Sequence, residues 1–194
     1  MGKIVHGNKN FGFAPIVTSG NTTTFGTPVM IPGMVSASIE VEQDTSSVYA
    51  DDTVYCQVKG AKVRTATVNF RNIPAAYAPY LGFKAQTNGG FADTGTYATH
   101  CIFFMTTEED CEAGTSVPTL HYIYAVKGSE PTQESSTDEE EVEAAEIEVE
   151  YSASDSSIAK DSDGEAVQYF YIQRNEDNAT LFDAYQSAVI LPNA

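Results

Sequence analysis

The sequence predicts a mainly β domain, a sandwich or barrel carrying one or two short flanking helices. Period-two alternation recurs along the chain, most clearly where Val35, Ala37, Ile39 and Val41 are interleaved with Ser36, Ser38, Glu40 and Glu42. Such a strand turns one face to a core and the other to water. Helix signals are confined to two short stretches. With 42% hydrophobic residues over 194 positions, the chain can bury one real core.

The elements follow in order. Phe11 to Val17 is rich in aromatic and β-branched residues, and Met34 to Glu42 is the clearest strand. Lys62 to Arg71 sets Ala66, Val68 and Phe70 against Thr65, Thr67 and Asn69. Gly60 just before it reads as a turn, so Thr53 to Lys59 is placed to pair with Lys62 to Arg71 as a hairpin. Ile73 to Phe83 opens with Pro74 and closes at Gly82, a short helix limited by Pro79. Tyr97 to Thr106, Pro118 to Lys127, Ala144 to Ala153 and Val167 to Arg174 are further strands, giving at least seven in all. Asn178 to Val189 reads as a second helix with Asn178 as N-cap. Gln86 to Gly95 and Gly128 to Thr137 are connections that separate no independent cores, so residues 1–194 read as a single domain.

Charge is placed unevenly. Residues 1–107 hold 6 acids and 7 bases, and residues 108–194 hold 21 acids and 3 bases, so the whole net charge of −17 belongs to the second half. A chain of this kind repels phosphates and lacks the basic footprint of a nucleic-acid or anionic-membrane binder. No apolar run exceeds the five residues of Cys101 to Met105, far short of a membrane span, and the N-terminus has no apolar signal core. The protein is therefore expected to be made and kept in a cytosol, and its three cysteines to be reduced thiols.

Several constellations invite a chemical reading. Within the acidic run 138–150, Glu146, Glu148 and Glu150 alternate with Ile147, Val149 and Tyr151, which describes a strand with one apolar and one carboxylate face. That face is either ordinary solvated surface or a display of charge toward a partner or conduit. Asp161 to Glu165 resembles a calcium loop but has Gly164 two positions early and Ile172 where a bidentate Glu is needed, so a polar turn is expected. His100, Cys101, Cys111 and His121 lack zinc-ligand spacing, and nothing local activates either thiol. No phosphate loop, nucleophile elbow or metal helix occurs, so no enzyme, cofactor or metal is expected. The stretch 43–60 is polar at its start yet carries Val48, Tyr49, Val54 and Tyr55, too many large apolar groups for a tip that stays in water. It reads either as a short extra hairpin or as an arm that docks on a neighbouring subunit.

Phe11-Gly-Phe-Ala-Pro15, Gly26-Thr-Pro-Val-Met-Ile-Pro-Gly33, the alternating strand Val35 to Val41 and Tyr49-Ala-Asp-Asp-Thr-Val-Tyr55 together resemble the major tail proteins, or tail tube proteins, of long non-contractile-tailed bacteriophages of Gram-positive hosts. The order of later elements is similar as well, although Glu130 and the acidity beyond residue 107 depart from the pattern. The resemblance implies a tail-tube-type β-sandwich assembled as hexameric rings that stack into the conduit for genome ejection. It implies a place in the virion tail, tape measure and tail terminator or initiator proteins as partners, and DNA as a cargo that must not stick. By order along the chain, residues 43–60 would be the inter-ring arm, with Asp44, Val48, Tyr49, Asp51, Asp52, Val54 and Tyr55 as its assembly residues. Residues 128–141 would be an acidic connection, and Glu146, Glu148 and Glu150 the candidate lumen lining. The rival reading is an acidic β-sandwich binding module of the cation-dependent adhesin kind. It predicts a stable monomer that calcium stabilises against heat.

Overall fold

The computed structural model describes residues 3–50, 52–133 and 145–193. Among these residues the fold is mainly β, as expected, with twelve strands. They are β1 (Lys3–Ser19), β2 (Thr22–Phe25), β3 (Val29–Met30), β4 (Met34–Ala50), β5 (Thr53–Phe70), β6 (Phe83–Ala85), β7 (Phe91–Asp93), β8 (His100–Asp110), β9 (Thr115–Gly128), β10 (Thr132–Gln133), β11 (Ile147–Ala153) and β12 (Tyr169–Gln173). The segment expected as a first helix is a 3-10 helix, Ala75–Leu81, capped by Gly82 at a φ of 91°. The second is one turn of α-helix, α1 (Ala179–Asp183), continued by a 3-10 turn, Ala184–Gln186.

Ten strands form one antiparallel sheet whose main path runs β2, β1, β8, β9, β11, β5, β4. The edge of β9 is divided: Thr119 to Ile123 pairs with β12, and Val126 to Gly128 pairs with β11. The sheet turns a corner there, so β11, β5 and β4 form a second layer over β1, β8 and β9. A Cβ on Gly128 would lie 2.7 Å from Leu81 and 3.2 Å from the Tyr151 ring, which is why the corner takes glycine.

Two cores result. Between the layers lie Phe11, Phe13, Val68, Phe70, Tyr77, Ile102, Ile123, Val149 and Tyr151, and Ala37 and Ile39 of β4 pack against them. Phe11 meets Phe70 edge-on at 4.8 Å. The opposite face of β8 and β9, with Phe103, Leu120, Tyr122 and Tyr124, is covered by Phe182, Tyr185 and Ile190 of the C-terminal segment. Tyr124 donates its hydroxyl proton to the Ile190 carbonyl at 2.6 Å. The outer face of β11, β5 and β4 has no such cover among the described residues.

Three expectations are corrected. Gly60 is not a turn, because β5 runs through it and the hairpin closes at Asp52, whose φ is 58°. Thr53 to Lys59 therefore pairs with the far half of β4, and Gly60 faces a shift of register beside Asp44. Val35 falls at a register shift and Val41 lies beyond the body, so both are exposed instead of joining Ala37 and Ile39 in the core. Finally, part of the connection 86–95 is the turn of a small hairpin, β6 with β7.

Candidate functional site

The residues that could carry chemistry are tied into the fold. His100 is fully buried; its Nδ1–H donates to the Ala98 carbonyl at 2.9 Å, which leaves Nε2 to accept the Tyr77 hydroxyl proton at 2.8 Å. The Tyr77 and Tyr151 hydroxyls are hydrogen-bonded at 3.0 Å. Burial lowers the His100 pKa to about 4 and pushes Cys101 well above the ordinary thiol value, so neither works as a nucleophile or base near neutrality. His121 is held between Thr106 and the Tyr169 hydroxyl, and Cys111 is exposed. The Asp161 carboxylate accepts the backbone N–H groups of Asp163 and Glu165, each at 2.9 Å, so this segment is a polar turn. Among the described residues no group of three or more His, Cys, Asp or Glu side chains could hold a metal.

The buried imidazole has a consequence for stability. Between pH 6.5 and 4 the unfolded chain takes up a proton at His100 that the folded chain refuses, so stability is lost as the pH falls through this window, by about 3 kcal/mol. His121, also lowered by burial, adds a loss of the same sign. Urea unfolding should show a smaller difference between pH 7 and pH 4.5 in His100→Gln than in the wild type. Equal differences would refute the assignment.

What remains is surface. Beyond Val41 and Arg64, which pair directly, β4 and β5 leave the body together as a hairpin. From Arg64 to Thr53 the arm extends roughly 35 Å. It belongs to neither core, and both of its faces are open. Tyr49 is 68% and Tyr55 77% exposed, and Val41, Val48, Val54, Val58 and Val63 are each about half exposed. The structure thus brings Asp44, Val48, Tyr49, Asp52, Val54 and Tyr55 together on one projection, whereas Asp51 lies outside the described residues. With the turn at Asp52 instead of Gly60, Val41 and Val63 join the base of the arm, and Val58 within it adds to the exposed apolar groups.

The second surface is the uncovered face. Residues paired directly across strands share a face, and three rows cross it: Glu148, Asn69, Ser36; Glu150, Thr67, Ser38; and Ser152, Thr65, Glu40. Val149 and Tyr151 point the other way and are fully buried, which fixes Glu148 and Glu150 outward. By alternation along β4 the same face continues onto the arm through Glu42 and Asp44. Glu146 precedes β11 and is paired with Arg71 at 3.1 Å, so its charge is locally balanced. Lys127, opposite Ser152, is a base at the margin. Short hydroxyl and amide side chains with carboxylates at intervals offer little for a phosphate to grip. Of the connection 128–141, residues 134–141 lie outside the described residues.

The solved structures include a tube-terminating cap of an anti-feeding prophage, determined by electron cryo-microscopy. It is 14% identical with a TM-score of 0.45, over 85% of this chain and 89% of that one. No curated protein matches the chain. A family model described as phage tail tube protein matches residues 2–194, nearly the whole sequence, so the chain belongs to the phage tail tube proteins, a non-enzymatic structural family.

Proposed function

We propose that the protein assembles into hexameric rings that stack head to tail into the tail tube of a phage virion, through which the genome leaves. The observation that carries this reading is the arm. A hairpin with two largely exposed tyrosines and five half-exposed valines is poorly suited to water, and a second copy of the chain in the next ring gives it a place to bury them. A contact of that kind is heterologous and does not close, so rings propagate into a filament. The arm residues Asp44, Val48, Tyr49, Asp51, Asp52, Val54 and Tyr55 thereby acquire the inter-ring role. Glu148 and Glu150 line the lumen in this reading, where carboxylates keep DNA phosphates from sticking. Tape measure, initiator and terminator proteins are the expected partners at the tube's interior and ends, and assembly takes place in the host bacterial cytoplasm.

The test is direct. Purified protein raised in concentration and imaged by negative-stain electron microscopy should show rings and then tubes. A monomer at all concentrations that calcium stabilises against heat would favour the adhesin-like module instead.

A further inference from the structure

The two faces of the arm differ in chemistry. Lys59 pairs with Thr45, Lys62 with Gln43 and Arg64 with Val41, and alternation along β4 places all three cations on one face. No carboxylate lies at the paired positions on that face, and among the described residues none of the three forms an ion pair. The acids Glu40, Glu42 and Asp44 occupy the other face. Arg64 is the innermost of the three; its guanidinium lies 4.4 Å over the Tyr169 ring, and its Nε is buried with no hydrogen-bond partner among the described residues. Three of the protein's 10 basic residues thus stand in one row without a counter-ion among the described residues, on a chain of net charge −17. An unpaired, partly desolvated guanidinium calls for a carboxylate.

The topology fixes where the ends of one acidic segment lie. Along β5 the arm lies beyond Arg64, whereas Phe70, at the opposite end, pairs with Ile147 and Met34. Ile147 in turn pairs with Gln133. Both ends of the connection between β10 and β11 are therefore anchored at the end of the body farthest from the arm. Its sequence contains Asp138, Glu139, Glu140, Glu141 and Glu143 with no base. In a head-to-tail stack with the arm directed along the tube axis, the arm end of one copy would face the connection end of the next.

We propose that the row Lys59, Lys62, Arg64 is the receiving surface for this acidic connection of the chain stacked on it, an ionic latch between rings. The proposal rests on the tube reading above and names the partner of its arm. The attraction draws rings into register, while the apolar residues of the arm supply the buried area. It also makes growth sensitive to salt, because exposed ion pairs are screened within about 8 Å at physiological ionic strength.

Charge exchange tests it with the full-length protein. Lys59→Glu/Lys62→Glu leaves both cores and Arg64 untouched, and should raise the concentration needed for tube growth by about tenfold or more. Glu139→Lys/Glu140→Lys/Glu141→Lys should do the same alone. Combining the two sets should restore growth, which no loss of folding would do; circular dichroism checks each monomer. Wild-type tubes together with unimpaired growth of Lys59→Glu/Lys62→Glu would overturn the latch and leave the tube reading standing. Failure of the combined variant to recover would overturn it too, as would a Lys59→Glu/Lys62→Glu variant that grows normally but loses DNA retention, since the row would then face nucleic acid. Absence of wild-type tubes would overturn both proposals.

Discussion

Deleting residues 46–52, the end of the arm, should abolish tubes while leaving a folded subunit. The segment takes Val48 and Tyr49 from the arm, and none of its described residues belongs to either core. The unfolding free energy should therefore change by less than about 1 kcal/mol, the ordinary range for surface changes. Assembly loses its apolar anchor. A milder pair, Tyr49→Ser/Tyr55→Ser, removes two aromatic side chains from the proposed contact, each worth about 2 kcal/mol or more if it is a hot spot. The concentration required for growth should rise on the order of a hundredfold or more, as read from sedimentation and negative-stain images. Normal tubes from the deletion variant would show that the arm has no inter-ring role.

Reversing Glu148 and Glu150 to Lys should have the second large effect, on DNA passage and not on assembly. Both side chains point away from the core, so Glu148→Lys/Glu150→Lys should fold and stack. In the proposed hexameric ring, the substituted side chains would present a collar of ammonium groups to the duplex. Lysines that neutralise phosphates bind DNA with strong salt dependence. Ejection from phage carrying the variant should slow by about tenfold or more at low salt and recover partly as salt is raised. Glu146→Lys should do less, because Glu146 already shares its charge with Arg71 at 3.1 Å. Ejection at the wild-type rate with normal tubes would place the carboxylate face outside the lumen.

Much of the body was legible in the sequence because period-two alternation is a direct record of burial. Ala66, Val68 and Phe70 are all buried where the pattern put them, and Glu148 and Glu150 are exposed opposite Val149 and Tyr151. The arm was legible as an anomaly of composition, in four large apolar groups among polar neighbours. Its construction was not. A glycine inside a strand and a glycine in a turn look alike in sequence, and only the register shift beside Asp44 shows that Gly60 belongs to the first kind. Moving the turn from Gly60 to Asp52 lengthens the hairpin and places Lys59, Lys62 and Arg64 in one row, an arrangement that needs the cross-strand register. Likewise, β9 and β11 are distant in sequence, and the corner they make at Gly128 depends on contacts with Leu81 and Tyr151 that no local pattern records.

In the proposed tube the arm crosses from one ring to the next. Electron cryo-microscopy of tails or of tubes grown from the purified protein measures this directly. The account predicts density for the β4–β5 hairpin on the neighbouring ring, with Tyr49 and Tyr55 covered there and Glu148 and Glu150 facing the bore. An arm folded back on its own ring, with both tyrosines left in solvent, would contradict it.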